Sequence, residues 1–228
     1  HVVRIAKYLN IDINEIIGCD IIKNKIQGKD MLIIHNDKSP KIDSNAYIAP
    51  NAVICGDVTI GKNCKVMFGA QIIAEDGAIV LDENTVVLEN AVLRSTEKYS
   101  LKVGKNCLIG PNTHIVGCNI EDNVFVATGA SIFHGAVIGE GSEIRINAIV
   151  HIKTQLIKNS TVPIGWVAVG NPAQILSPDK HNEIWEIQAP LNFPKTVYGL
   201  ERDSVTMEKI VKQIGSRLRT HENDKIIK

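Results

Sequence analysis

The hydrophobic positions of this chain recur every six residues, a spacing that is neither helical nor the simple alternation of a half-buried strand. From Ile42 the chain reads IDSNAY, IAPNAV, ICGDVT, IGKNCK, VMFGAQ. Each unit opens on an aliphatic residue, and a small or short polar residue fills its fifth place. After an outward loop the pattern resumes at Leu81 as LDENTV, VLENAV. A second loop, residues 94–102, interrupts it, and VGKNCL, IGPNTH follow from Val103. The unit at Ile115 is one residue short, and from Ile120 the repeat runs unbroken to VPIGWV. Such a period predicts a mainly β triangular solenoid of about seven coils, with three short strands and about 18 residues per coil. The openers point inward, the fifth residues pack beside them, and Gly and Asn in the middle places suit turns of positive φ. An Ile-rich β-sandwich is the alternative, but its turn signals recur at roughly 8–12 residues.

The flanks follow other rules. Residues 178–188 (PDKHNEIWEIQ) can form a helix with Ile184, Trp185 and Ile187 on an apolar side, and Pro190 and Pro194 then break the chain. A second helix over about residues 204–219 places Val205, Ile210, Val211, Ile214 and Leu218 on a broad stripe. The polar tail HENDKIIK is expected to fray. The N-terminal stretch RIAKYLNIDINEIIG resembles the last helices of a lambda-repressor-like helix-turn-helix domain, yet no recognition helix precedes it. An amphipathic helix capping the solenoid is the preferred reading. The domain division is therefore a helical extension over 1–31, a β-helix over 32–176 and a helical segment over 177–228 that packs on it.

Composition narrows the partners. Lys+Arg and Asp+Glu balance at 25 each, so no basic field argues for nucleic acid. No apolar run reaches the length of a membrane span. Aromatic residues are only 4% of the chain, so Ile, Val, Leu and Ala must build the core. The five cysteines are scattered without CxxC spacing, which fits free thiols in a reducing, cytoplasmic setting. No phosphate-binding glycine loop and no nucleophile elbow occurs.

These hexads resemble the hexapeptide-repeat superfamily of left-handed β-helices, and G-N-P-A at residues 170–173 resembles the motif that ends its solenoid. Within it, KSPKIDSNAYIAPNAVICGDVTIG (38–61) is similar to the opening of the gamma-class carbonic anhydrase-like family. The resemblance covers about residues 32–200. It implies a homotrimer with active sites between subunits, and zinc held by three histidines. Carried over by register, the ligand positions are Arg94, Pro111 and Val116, and none is histidine. Arginine stays protonated, proline has no donor atom and valine is apolar, so these three cannot build a zinc site. The expectation is no metal there. His114, in LIGPNTHIVGCNI, is out of register with both nearby ligand positions and reads as a corner histidine.

Stacking the coils gives one outward column of Cys55, Ile73, Arg94, Val116, Phe133 and His151, and a second of Phe68, Glu89, Pro111, Thr128 and Ile146. A zinc site moved along these columns would need histidines that they lack. His134 beside His151 could offer two ligands at most. The resemblance also implies an arginine–aspartate pair across subunits, so Arg94 is expected to pair with Glu89 of a neighbouring chain. Glu75, in the loop AEDGA, is a further carboxylate candidate. Three functions remain open: a metal-free trimer with an intersubunit cleft for a small molecule or anion, a coenzyme A-dependent acyltransferase using acetyl-CoA with His134 or His151 as general base, and a structural trimer without a ligand.

Overall fold

In a computed structural model, residues 31–227 are described; the expected N-terminal helix lies outside them. The chain winds as a parallel β-solenoid of three faces. One face is a ten-stranded sheet whose two outermost strands are antiparallel, and the other two carry seven parallel strands each. The first face thus has one coil strand more than the hexads predict. That strand, Met31–Ile34, pairs in parallel with Val53–Cys55, although its MLII sequence carries no hexad signature.

The predicted register is the observed one. Ile54, Ile72, Leu93, Ile115, Ile132 and Val150 pair one coil to the next and are wholly buried. At roughly 1.5–3 kcal/mol for each such side chain, this stack is the main driving force for winding. The fifth places are small because they sit at corners, and several are polar because a corner carbonyl needs a donor. Buried Thr85 donates to Gly104 O at 2.7 Å, Thr113 to Gly110 O at 3.0 Å, and the Cys64 thiol to Asp82 O at 2.9 Å. Burial comes first among the causes that push the Cys107 thiol up to about 11, so it stays a protonated donor.

At one corner the turns are held by asparagine. Asn63, Asn84, Asn106 and Asn123 all have φ between 55° and 60°, the left-handed region. Their side chains form a ladder along the solenoid: Asn63 donates to Asn84 at 3.1 Å, Asn84 to Asn106 at 3.2 Å and Asn106 to Asn123 at 3.3 Å.

The ends are capped. After the Gly-Asn-Pro-Ala turn, Gln174–Leu176 folds back antiparallel on Val167–Val169 and covers one open edge. The other edge is covered by the C-terminus, where Lys225–Ile226 pairs antiparallel with Ile33 and Ile34. The tail is therefore docked through Ile227, against the expectation of fraying: an exposed row of backbone donors and acceptors on Met31–Ile34 offers it partners. Between the caps run helix α1 (His181–Gln188) and helix α2 (Met207–Leu218), each starting about three residues later than expected. Thr206 caps α2 by accepting from Lys209 N at 3.3 Å. Ile210 and Ile214 of the predicted stripe are half-buried, whereas Val211 is 62% exposed.

Candidate functional site

The ten-stranded face and the C-terminal segment enclose a cavity of about 320 Å³. Its floor is the outward side of three successive strands. Arg94 stands on Val92–Ser95, His114 and Val116 on His114–Val116, and Phe133 and His134 follow Ser131–Ile132. Its roof is Phe193, Tyr198 and, from α2, Ile214, Arg217 and Leu218. The second interruption of the repeat is shorter than the hexads suggest. Arg94 and Ser95 lie within the strand, and only a turn closed between Thr96 and Tyr99 projects. That turn explains the Gly-Cys pair of LIGPNTHIVGCNI. Gly117 has φ +46°, and a Cβ there would lie 2.5 Å from Tyr99 Cβ.

The structure brings together Arg94, Val116, His114, His134 and Glu75. Pro111 and Glu89 stand in register two residues beyond the strands Leu108–Ile109 and Val86–Val87 of another face. His151 lies farther along the first face, next to Phe133 and Phe193, each ring centroid 6.4 Å away. His114 shares the cavity because alternate residues of a strand face the same way, so 114 and 116 point out together.

Charge is distributed unevenly. Arg94 pairs with Glu75 of its own chain through one guanidinium nitrogen, Nη2, and Glu75 is only 11% exposed. Arg217 reaches the cavity from above and donates to Val197 O at 3.5 Å. His114 is held below the ordinary histidine range by burial and by Arg94. His134 goes further, to about 4, through burial first and then His114, Arg217 and Arg94. Its buried Nδ1 has no hydrogen-bond partner among the described residues. Burial lowers His151 as well, and its Nδ1 is likewise unpartnered there.

Behind Glu75 runs a chain of polar groups that the hexads do not signal. Glu75 Oε2 meets His221 Nε2 at 3.0 Å, and His221 Nδ1 meets Asp224 Oδ2 at 2.8 Å. The other Asp224 oxygen meets His35 Nδ1 at 2.6 Å, and the Cys55 thiol points at Asp224 Oδ2 from 3.9 Å. His35 and His221 stack at 4.3 Å. Burial draws the pKa of His221 down, but its hydrogen bonds to Asp224 and Glu75 outweigh that and raise it. Burial, then the carboxylates of Asp224 and Glu75, push the Cys55 thiol up to about 12. Only His221 and Asp224, three residues apart in a polar tail, could have hinted at this cluster, and their partners stand about 150–190 residues away.

The implied three-histidine zinc site does not fit these residues. Arg94 is a cation already engaged by Glu75, Val116 is an apolar side chain 6% exposed, and Pro111 carries no donor.

Residues 39–74 match the family model of the bacterial transferase hexapeptide, described as six repeats. Gamma carbonic anhydrase 1, mitochondrial, of Arabidopsis thaliana is 28% identical over 146 residues, covering 61% of this chain and 51% of that one. Dynactin subunit 6 of Xenopus tropicalis is 30% identical over 120 residues, covering 42% of this chain and 59% of that one. Among solved structures, a hexapeptide transferase family protein from Anaplasma phagocytophilum superposes with a TM-score of 0.44 at 23% identity, covering 84% of this chain and 95% of that one. The chain spans about half the length of the gamma carbonic anhydrase it matches. Among the described residues no helix is long and apolar enough to cross a membrane. Its hexads stack into a parallel solenoid, and over part of its length the sequence is similar to the bacterial transferase hexapeptide family and to gamma carbonic anhydrases.

Proposed function

We propose that this protein works without the three-histidine zinc site, does not hydrate CO2, and holds a small organic anion in the cavity under its C-terminal segment. The carrying observation is the pairing of two guanidinium groups, Arg94 and Arg217, with aromatic walls from Phe133, Phe193 and Tyr198 in one cavity. Glu75 engages one nitrogen of Arg94 and leaves the rest of the fork for a ligand. An apolar body against the rings and a carboxylate at the guanidinium groups is the ligand this site suits. A homotrimer is part of the reading. It is supported by the second column, where Phe68 is 47% and Ile146 46% exposed, and by Ile164 at 65% in the next coil of the same register. A neighbour seated on that edge would bury them. The interchain pair of Arg94 with Glu89 belongs to this trimer and competes with the Glu75 pair.

The acyltransferase alternative needs a base near neutral pH; His134 is held near 4, and burial lowers His151 as well, which disfavours both as bases. The test is calorimetry with benzoate, with acetyl-CoA in a parallel titration, and stopped-flow CO2 hydration with added zinc. Benzoate binding that falls at least tenfold in both Arg94→Ala and Arg217→Ala, with no hydration, is expected. Binding of acetyl-CoA alone would move the protein to the acyltransferases. A trimer that binds neither would be structural, and zinc-dependent hydration would overturn the reading.

A further inference from the structure

We infer that His35, Cys55, His221 and Asp224 form a zinc site of the closed, structural kind, which staples the C-terminus to the first coils of the solenoid. One donor atom from each of these residues lies within 4.8 Å of all the others. Zinc bonds of about 2.0–2.3 Å place tetrahedral ligands roughly 3.3–3.8 Å apart, so closing the cluster takes shifts of about an ångström. Two imidazoles, a thiolate and a carboxylate make a borderline-soft set that suits Zn²⁺ better than Mg²⁺ or Ca²⁺, which take oxygen.

The present hydrogen bonds trace the site. Asp224 sits at the centre, with His35 Nδ1 on one oxygen and His221 Nδ1 and the Cys55 thiol turned to the other. These contacts converge on Asp224, and one metal ion between the four side chains would take the place of the hydrogens that now join them. On binding, the thiol hydrogen and the hydrogen on His221 Nδ1 leave as protons. The hydrogen on His35 moves to Nε2, where Asn36, now 3.1 Å away through its amide nitrogen, turns its carbonyl oxygen to accept it. His221 needs no such change. Its Nε2 already faces Glu75 at 3.0 Å, the carboxylate partner that orients a metal-bound imidazole.

The surroundings favour retention. His35 is 1% and Cys55 3% exposed, and the two come from neighbouring coils of the first face. His221 and Asp224 arrive from the far end of the chain, fixed by the strand Lys225–Ile226 pairing with Ile33 and Ile34. A metal here closes a loop of nearly the whole described chain, and binding energy of this kind appears as folding energy. Four protein ligands leave no open position for a substrate, so the site is structural and distinct from the anion cavity. Glu75 links them mechanically, since it holds His221 with one oxygen and Arg94 with the other.

The test is the full chain, stripped with a chelator and reloaded with Zn²⁺ or Co²⁺. One metal ion per chain is expected by elemental analysis, with a melting temperature higher than that of the stripped protein. The cobalt form should show tetrahedral visible bands and a thiolate charge-transfer band in the near ultraviolet. Cys55→Ser should lose that band, and Asp224→Asn and His221→Ala should lose stoichiometric metal. Arg94→Ala, outside the donor set, should keep it. Glu75→Gln should keep the metal with about 10–100-fold weaker affinity. Circular dichroism of each stripped variant separates loss of metal from loss of fold. Two results each overturn the site: wild-type protein that takes up no metal, and a thiolate band that survives Cys55→Ser.

Discussion

Replacing His134 by leucine should remove a specific share of the pH dependence of stability. In the folded chain His134 titrates near 4, against an ordinary 6.5. Burial is the first cause, and the cations and rings that face it, His114, Arg217, Arg94 and Tyr99, are in place around it. The folded state therefore prefers neutral His134, and the unfolded state takes up its proton first as pH falls. Stability from this group is fully present above about pH 6.5 and is lost progressively down to about pH 4. At about 1.4 kcal/mol per pKa unit, a shift of that size is worth on the order of 3 kcal/mol between the two ends of the window. His114 and His151 are lowered too, so the wild-type slope is a sum, and the difference between wild type and His134→Leu isolates one site. The assay is urea unfolding at fixed protein concentration from pH 4 to 8, with the His134 ring followed directly by NMR titration. The variant should be as stable as wild type or less so at pH 8, and should lose less stability on acidification. Parallel curves for the two proteins, or a His134 titration near 6.5, would refute the reasoning.

Other consequences are separable. Asn84→Ala combines the strain of a left-handed residue with two lost amide hydrogen bonds, and should destabilise by about 2 kcal/mol in thermal or urea unfolding. Asn84→Gly relieves the strain alone and should recover roughly half of that. Ile115→Ala, at a wholly buried opener in mid-stack, should cost about 2–5 kcal/mol by the same measurement. Phe68→Asp should leave the fold intact by circular dichroism and shift sedimentation of the proposed trimer toward monomer on dilution.

How far the site could be read beforehand depends on how each residue is held. Arg94, Val116 and Phe133 belong to the repeat, so the opener register placed them in one outward column, and the parallel pairing of Ile72, Leu93, Ile115 and Ile132 carries that column through the solenoid. His114 stands two residues before Val116 on the same strand, and that alternation turns both to the cavity side. Partners not set by the repeat were harder to see. Glu75 is in a loop whose carboxylate could have been solvated, and its partner His221 stands 146 residues later. No period connects His35 and Asp224, at a separation of 189. What joins them is the solenoid's need to cover the open edge at Met31–Ile34, and the tail answers it by adding an antiparallel strand. That strand fixes where residues 221–224 must lie, directly over the first coils, so the polar cluster follows from edge capping rather than from any local motif. The tail and the roof of the cavity are parts of one C-terminal segment, since α2 leads through residues 219–223 into the capping strand. Loosening the cap therefore loosens Arg217 and Leu218 over Arg94, and deletion of residues 220–228 should lower both the melting temperature and the affinity for benzoate, whereas an unchanged affinity would show that the roof is held by α2 alone.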